Sequence, residues 1–273
     1  MIPRWKWPAL FLALAAIYLV RLDCRALWDP DEGRYAQIAH EMLAPQTAEW
    51  LTPRFNGAAY LEKPPLLYWV TALSFRLFGE HEWAARLPLA LATLMTCGLI
   101  AWRGRRRLGD WMGFWAALAY GLCLFVFILS DVLLIDSLLV LSVMGAFAAL
   151  DWGRDREKAG WGPPALLGFS VGLGILAKGP VAVVIPVLGV GLECLFTGSL
   201  KPFLGIRGLL PAVLVTCGMV LPWFVMQERA VPGFLRYFIL DHNVLRFATP
   251  ESRRPGPFWL FPLLAVAGWM PWW

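Results

Sequence analysis

Residues 83–130 read WAARLPLALATLMTCGLIAWRGRRRLGDWMGFWAALAYGLCLFVFILS, in which two apolar runs, 83–102 and 111–130, flank the basic run RGRRR at 103–107. Each apolar run has the length of about 20 residues that a helix needs to cross a bilayer. A short arginine-rich loop between two such runs is typical of the cytoplasmic side of a membrane protein. The stretch therefore predicts a transmembrane helical hairpin, and a patch for anionic lipid or nucleic acid is the alternative interpretation of its arginines.

The composition extends this prediction to the whole chain of 273 residues. Hydrophobic residues make up 59% of it, charged residues only 16%, and the mean hydropathy is +0.60. Soluble domains carry about 25% charged residues, so a polytopic membrane protein is favoured over a disordered chain, a coiled coil or a disulfide-stapled module. The net charge of +5 is scattered between apolar segments, which argues against a nucleic-acid partner. The five cysteines include no CxxC pair and predict neither disulfides nor a metal site.

Apolar segments of spanning length recur along the chain and predict an all-α polytopic bundle with about eight transmembrane helices. The predicted spans are 6–22, 83–102, 111–130, 132–150, 163–178, 180–197, 208–226 and 257–273. The run 64–79 begins with two prolines and contains Arg76, which favours a helix lying in the membrane interface. The first segment is predicted to be an uncleaved anchor with a cytoplasmic N-terminus. The basic loops then lie on the cytoplasmic side of the membrane, and the long segment 23–82 lies on the outer side.

The polar clusters of the chain all fall on the outer face in this topology. They are 29–35, 62–65, 131–136, Lys178 and 241–246. Ionisable groups at membrane depth are costly and tend to be functional, so their convergence predicts a single site on that face.

The chemistry of these clusters suits a phosphate-bearing substrate. The candidate residues are the carboxylates Asp31, Glu62 and Asp136, the cations Arg34, Lys63, Lys178 and Arg246, and the imidazole of His242. Arginine and lysine bind phosphate oxygens through charge-assisted hydrogen bonds, and carboxylates act as bases or metal ligands. Neither a GxxxxGKS/T loop nor a GxGxxG loop is present, so no nucleotide cofactor is expected.

The segment WDPDEGRYAQIAHEML at 28–43 predicts a turn followed by a short amphipathic helix. Its acids Asp29, Asp31 and Glu32 have two interpretations. One is capping of the helix N-terminus, which accounts for one acid, and the other is a catalytic or metal-binding role for the group. Trp28, Tyr60 and Tyr68 are candidates for stacking on a sugar.

Five segments together resemble the bacterial lipid A aminoarabinose transferases, which belong with the protein O-mannosyltransferases among the GT-C glycosyltransferases. In chain order they are WDPDEGRYAQIAHEML, LEKPPLLYWVTALSFRLFGEHEWAARLPLAL, LIDSLL, LAKGP and DHNVLRF. The resemblance implies a GT-C helical bundle in the bacterial inner membrane. It further implies transfer of a sugar, such as 4-amino-4-deoxy-L-arabinose, from an undecaprenyl-phosphate carrier to lipid A or another periplasmic acceptor, with inversion.

The same resemblance implies a role for each candidate residue. Asp31 and Asp136 correspond to catalytic acids, and the cations Arg34, Lys63, Lys178 and Arg246 correspond to ligands of the carrier phosphate. Glu62 and His242 resemble a pair that holds a divalent metal, zinc or magnesium.

The chain departs from that family because it ends at GWMPWW, so the further spans and the periplasmic C-terminal domain are expected to be absent from this single domain of residues 1–273. Other interpretations stay open. Within the same enzyme class, the chain is a protein or glycan O-glycosyltransferase that uses a lipid donor. In other classes, it is a lipid or sugar transporter, or a non-catalytic membrane subunit.

Overall fold

The computed structural model describes residues 2–28, 30–44, 49–154, 160–198, 206–245 and 257–272. Almost all of the regular structure in these ranges is helical. The helices are α1 (Lys6–Leu19), α2 (Asp31–Glu41), α3 (Leu66–Phe78), α4 (Glu82–Leu108), α5 (Asp110–Gly121), α6 (Leu124–Leu129), α7 (Asp136–Arg154), α8 (Gly162–Lys178), α9 (Val181–Thr197), α10 (Ile206–Ala230), α11 (Phe234–Arg236), a π-helix (Tyr237–Leu245) and α12 (Leu260–Gly268). This confirms the all-α prediction.

Each predicted span overlaps at least one of these helices. Among the described residues, α4, α7 and the segment 209–230 of α10 are long and apolar enough to cross a membrane. The shorter apolar helices are α1, α3, α8 and α9. Helix α3 has 13 residues and is therefore about 20 Å long, below the ~30 Å hydrocarbon core, but α1 with 14 residues is almost as short. The interfacial position of α3 therefore stays a prediction. The prediction of one domain over residues 1–273 stays a prediction.

Three predicted spans differ from the helices in the structure, and the last of them, 257–273, holds only the nine-residue helix α12. The segment 111–130 is broken at Leu122 and Cys123 into α5 and α6, and the next helix begins at Asp136 instead of 132. The non-helical connection between α6 and α7 leaves the amide of Leu133 outside a helix, and this amide donates to the buried Glu32 carboxylate at 2.8 Å. Hydropathy misses both breaks because Leu122, Cys123 and residues 132–135 are themselves apolar.

The long helices pack as a layered bundle. Helix α4 contacts α3, α5 and α7, and α8 contacts both α7 and α10. Small residues allow the close approach of α8 and α10, since a methyl group on Gly168 would collide with the carbonyl oxygen of Ala212. This packing draws the loops at one end of the bundle towards each other.

The segment between α1 and α4 covers that end. Helix α2 packs its apolar face on α3, where Ile38 and Ala39 are fully buried. A two-stranded antiparallel hairpin, β1 (Arg54–Phe55) and β2 (Ala58–Ala59), follows α2. The Glu41 carboxylate of α2 accepts hydrogen bonds from the turn amides of Asn56 at 2.7 Å and Gly57 at 3.1 Å. The hairpin is thereby fastened to α2.

Candidate functional site

Asp31 and Arg34 lie on the first turn of α2 and form the first part of the site. The Asp31 carboxylate lies 3.7 Å from the Arg34 guanidinium, and half of the Asp31 side chain is exposed. The guanidinium of Arg34 also hydrogen-bonds the hydroxyl of Tyr60, which raises the pKa of Arg34. A predicted acid and a predicted phosphate-binding cation are therefore neighbours, and the acid is open to a ligand.

Tyr60 connects this pair to the segment that precedes α3. Its hydroxyl donates to Glu62 Oε2 at 3.1 Å. Burial and the neighbouring Glu62 carboxylate raise the pKa of Tyr60 above its ordinary value, although Arg34 opposes them. Tyr60 therefore keeps its proton at neutral pH and serves as a fixed donor between Arg34 and Glu62.

Lys63 and His242 extend the same group of contacts to the far end of the chain. The Lys63 Nζ lies 3.3 Å from His242 Nε2. Lys63 stands directly before Pro64 and Pro65, and α3 begins at the next residue, so its backbone is stiff. His242 lies on the π-helix with its ring stacked on Phe238. Two segments far apart in the chain thus meet beside Glu62.

The other predicted acid, Asp136, pairs with Lys178. The Lys178 Nζ donates to Asp136 Oδ1 at 2.6 Å, and both side chains are partly exposed. Asp136 is the first residue of α7 and Lys178 is the last residue of α8. Their neighbours Leu138 and Ala177 belong to the same apolar core as α2 and α3, so the pair lies at the same end of the bundle as Asp31.

Two predicted residues lie outside the described part of the chain. These are Arg246, a predicted phosphate ligand, and Asp29 in the first acidic cluster. The ligand-binding roles of the described candidates stay predictions, since only their mutual contacts are visible.

Glu32 is buried, unlike its neighbour Asp31, and only 1% of its side chain is exposed. Its carboxylate accepts hydrogen bonds from Arg86 Nε at 3.0 Å, from the Trp28 amide at 2.8 Å and from the Leu133 amide at 2.8 Å. Arg25 donates to it as well, at 2.5 Å. The interpretation of Glu32 as part of a catalytic or metal-binding acid group is therefore wrong: its oxygens are occupied by internal donors.

Arg86 is the partner that holds Glu32, and it is fully buried inside α4. Besides Glu32, its guanidinium donates to the backbone carbonyls of Leu22 at 2.8 Å, Arg25 at 2.9 Å and Ala26 at 3.0 Å. One side chain thus joins α4, the segment after α1 and the start of α2. The Glu32–Arg86 pair places Asp31, the adjacent residue, relative to the bundle.

Asp131 adds two further ion pairs to this region. It lies 3.4 Å from Arg21 and 3.7 Å from the Arg25 Nε, and Arg25 also donates to the Asp131 carbonyl at 2.6 Å. Asp131 therefore fastens the connection before α7 to the segment that follows α1. Of the acids in the third predicted cluster, Asp136 faces Lys178 and Asp131 is structural.

The stability of the protein should fall in acid through Glu32. Burial alone would raise the pKa of Glu32, but hydrogen bonds from Arg86, Arg25 and the two amides outweigh it and lower this pKa from 4.5 to about 2. A carboxyl with a lowered pKa contributes its full stabilisation above pH 4.5 and loses it as the pH falls through about 2. We expect the unfolding free energy of wild type to drop by an amount on the order of 3 kcal/mol across this range. Chemical unfolding at several pH values measures this free energy. In Glu32→Gln, the part of its pH dependence that comes from Glu32 should be absent. A variant with the same pH dependence as wild type would contradict the role of Glu32.

The predicted metal pair, Glu62 and His242, is not arranged as a metal site by itself. Zinc takes three or four protein ligands, and within the described residues no three His, Cys, Asp or Glu side chains converge. Glu62 accepts from Tyr60, and a lysine ammonium lies beside Nε2 of His242. Metal binding by this pair stays a prediction.

Sequence reasoning missed Arg86 although a signal for it was present. Arg86 lies inside the predicted span 83–102, and an ionisable side chain within a span is expected to have a partner or a function. The identity of the partner could not be read, because Glu32 lies 54 positions earlier in the chain.

The family comparison places the chain among known proteins. Residues 62–225 match the family model described as dolichyl-phosphate-mannose-protein mannosyltransferase. This range covers more than half of the chain and includes Glu62, Arg86, Asp136 and Lys178.

Curated relatives agree with that match. The chain is 32% identical over 268 residues to the undecaprenyl phosphate-alpha-4-amino-4-deoxy-L-arabinose arabinosyl transferase of Enterobacter sp., covering 96% of this chain and 47% of the relative. It is 34% identical to arabinosyl transferase 2 of Sodalis glossinidius, covering 96% of this chain and 48% of the relative. The chain thus spans about half the length of the curated relatives it matches.

Solved structures share the backbone as well. The chain resembles apo ArnT from Cupriavidus metallidurans with a TM-score of 0.86 at 30% identity, covering 98% of this chain and 49% of that one. It resembles the same protein bound to undecaprenyl phosphate with a TM-score of 0.85 at 31% identity, covering 99% and 50%. Taken with the family match and the helical bundle, these similarities identify the chain as a multi-pass membrane protein of the GT-C class that belongs to the dolichyl-phosphate-mannose-protein mannosyltransferase family.

Proposed function

We propose that the chain forms the donor site of a membrane glycosyltransferase that moves a sugar from undecaprenyl phosphate to lipid A or another periplasmic acceptor. The observation that carries the proposal is the row of contacts from Asp31 through Arg34, Tyr60 and Glu62, beside Lys63 and His242. These groups lie at one end of a bundle whose backbone follows that of a protein solved with undecaprenyl phosphate bound.

The proposed reaction breaks the bond between the anomeric carbon of the sugar and an oxygen of the carrier phosphate. The electron pair of that bond passes to the phosphate oxygen, which gains negative charge. Lys63 and Arg34 would lie where this charge develops, and removing one donor of this kind from an enzyme costs roughly 3–4 kcal/mol of transition-state stabilisation. Lys178 would assist them once its ammonium leaves Asp136 and binds the carrier phosphate.

Asp31 is the proposed acid of the acceptor side, because it is exposed beside the cations. For a hydroxyl acceptor, Asp31 would take the proton as the acceptor oxygen bonds to the anomeric carbon. An anionic phosphate of lipid A needs no such base, and there Asp31 would stabilise the positive charge that develops on the sugar. Attack from the side opposite the leaving phosphate inverts the anomeric carbon.

The sugar is proposed to be 4-amino-4-deoxy-L-arabinose, since the relatives from Enterobacter and Sodalis are named for its transfer. A lipid-donor O-glycosyltransferase acting on protein or glycan is the second candidate, favoured by the description of the matching family. A transporter would bind the lipid without breaking the sugar–phosphate bond, so product analysis separates the classes.

The test supplies the purified chain in nanodiscs with undecaprenyl-phosphate aminoarabinose and lipid A, and follows released undecaprenyl phosphate by mass spectrometry. Release coupled to modified lipid A supports the proposal. Release that requires a hydroxyl acceptor instead would support the second candidate. Binding of the donor without release would overturn catalysis by this chain.

Lys63 provides a separate prediction on donor binding. Lys63→Met should weaken the binding of undecaprenyl phosphate about 10- to 100-fold, because a charge-assisted hydrogen bond contributes about 1.5–3 kcal/mol. Ligand-induced shifts of the melting temperature measure the affinity. Lys6→Met, which removes the same charge at the start of α1, is the matched control and should bind as wild type does. Equal affinity of the two variants would contradict the role of Lys63.

We also propose that the protein lies in the bacterial inner membrane with a cytoplasmic N-terminus and a periplasmic site. The arginines at 103–107 lie at the opposite end of α4 from Arg86, which supports this orientation. Cys24 is exposed near the start of the outer segment. It should react with a membrane-impermeant maleimide added to intact cells with a permeabilised outer membrane, whereas a cysteine placed at Arg105 should react only after lysis. The reverse pattern would contradict the orientation.

A further inference from the structure

Gln227 lies in the last turn of α10, and its side chain is fully buried. Its carboxamide oxygen accepts a hydrogen bond from the hydroxyl of Thr52 at 3.0 Å, and Thr52 is only 2% exposed. The two residues are 175 positions apart in the chain. This buried polar contact therefore joins α10 to the segment that precedes β1.

Two indole rings hold the same segment, residues 50–53, which we call the strap. Trp69 of α3 donates from its Nε1 to the carbonyl of Trp50 at 2.7 Å. Trp223 of α10 donates in the same way to the carbonyl of Leu51 at 2.9 Å. Three successive residues of the strap are therefore each fixed by a side chain of α3 or α10.

The strap leads directly to the candidate site through Tyr60. The carbonyl of Pro53, the last residue of the strap, accepts a hydrogen bond from the amide of Tyr60 at 2.8 Å, at the base of the β1–β2 hairpin. The Tyr60 hydroxyl in turn connects Arg34 to Glu62. A displacement of the strap would therefore move the tyrosine that stands between these two charges.

The same end of α10 also supports the π-helix that carries His242. Phe224 of α10 contacts Phe238 with ring centres 5.6 Å apart, and the Phe238 ring stacks on His242. The strap residue Leu51 packs against this aromatic group. One end of α10 thus holds two segments that bring Tyr60 and His242 to the candidate site.

The contact between Gln227 and Thr52 contributes little to stability. The Nε2 amino group of Gln227 is buried and, within the described part of the chain, has no hydrogen-bond partner. An unpaired buried donor costs as much free energy as one neutral hydrogen bond contributes, or more. An apolar pair of similar shape would avoid this cost. What the polar pair adds is a fixed direction and length between α10 and the strap.

We propose that Gln227 is a positioning residue of the donor site. Through Thr52 it fixes the strap, and the strap fixes Tyr60 between Arg34 and Glu62. The effect on catalysis rests on the proposed function, in which Arg34 stabilises the leaving phosphate. Since a misplacement of about 1 Å at such a site can cost roughly 100-fold in rate, a small shift of Tyr60 lowers the rate of transfer while the fold stays intact.

The experiment compares the nearly isosteric double variant Thr52→Val/Gln227→Leu with wild type, as the purified full chain in nanodiscs. Hydrogen exchange at the Tyr60 amide, followed by mass spectrometry of peptides that contain it, should become about tenfold faster because the strap is loosened. The melting temperature should equal or exceed that of wild type. With undecaprenyl-phosphate aminoarabinose and lipid A, kcat should fall about tenfold while KM for the donor changes by less than about twofold.

Three further variants serve as controls. Thr52→Ser keeps the hydroxyl and should match wild type in hydrogen exchange, kcat and melting temperature. Thr93→Val removes another buried hydroxyl, which donates within α4 to the carbonyl of Leu89 at 2.9 Å, and it should also match wild type. The single variant Thr52→Val should give the same faster exchange and covers the case in which the double variant folds poorly.

Several results would overturn the proposal. Unchanged hydrogen exchange at Tyr60 would show that the contact does not hold this residue. Faster exchange with an unchanged kcat, or a melting temperature far below that of wild type, would assign the contact to structure alone. If wild type transfers no sugar, the proposed function fails, and hydrogen exchange then decides the inference by itself. Faster exchange in the variants would support the placement of Tyr60 by Gln227, and unchanged exchange would refute it.

Discussion

Arg86→Met is expected to destabilise the protein by about 3–5 kcal/mol, the cost of breaking a buried ion pair by removing one partner. The Glu32 carboxylate would lose two hydrogen bonds, of 3.0 and 3.2 Å, in a position where water cannot replace them. The carbonyls of Leu22, Arg25 and Ala26 would lose their donors as well. Denaturation in mixed micelles of sodium dodecyl sulfate and a mild detergent measures the unfolding free energy.

A control and a double variant test whether the pair is the cause. Arg76→Met removes an exposed arginine from α3 and should change the unfolding free energy by less than about 0.5 kcal/mol. Glu32→Gln/Arg86→Met removes both charges together and should cost less than the sum of the single changes, since neither variant side chain leaves an isolated ion. A cost below about 1 kcal/mol for Arg86→Met would refute the structural role of the pair.

Asp31→Asn is expected to lower the rate of sugar transfer about 100-fold or more while leaving the fold intact, if the proposed function holds. The side chain is exposed, and its ion pair with Arg34 is long at 3.7 Å, so its contribution to stability is small. The loss of activity would come from the missing charge beside the reacting sugar, where a positioned acid or base contributes about 10²–10⁴ in rate. The initial rate of undecaprenyl phosphate release measures the effect.

Asp23→Asn is the matched control for this prediction. Asp23 is an exposed acid of the same outer segment and should be replaceable without loss of rate. The melting temperature of Asp31→Asn should stay within a few degrees of wild type, which separates a catalytic defect from unfolding. An Asp31→Asn protein that keeps more than a tenth of the wild-type rate would remove Asp31 from the chemistry.

The contrast between Asp31 and Glu32 shows where sequence reasoning ended. Both acids lie in one DEGR segment, and their type and spacing offer the same capping and catalytic interpretations. Burial separates them, because one step along α2 turns the Glu32 side chain towards α4 and leaves Asp31 at the surface. No local pattern in the segment reports which side faces Arg86.

The partners of Lys178 and Tyr60 also depend on the tertiary structure. The sequence predicted that Lys178 and Asp136 belong to one outer face, and they do meet, but their direct ion pair depends on how α7 packs against α8. Tyr60 was a candidate for sugar stacking, and its hydroxyl connects Arg34 to Glu62. Such contacts join residues that the chain alone does not relate.

Hydropathy and length by themselves determined that this chain is an all-α membrane bundle, and the positions of its charged clusters indicated the end that carries the candidate site. These properties are local, since each span must satisfy its own backbone hydrogen bonds and bury its own apolar surface. Only the tertiary structure decided which charges pair internally and which face outward. That division depends on contacts between distant helices, such as Glu32 with Arg86 and Lys63 with His242, because a buried charge is tolerated only where a partner from another segment reaches it.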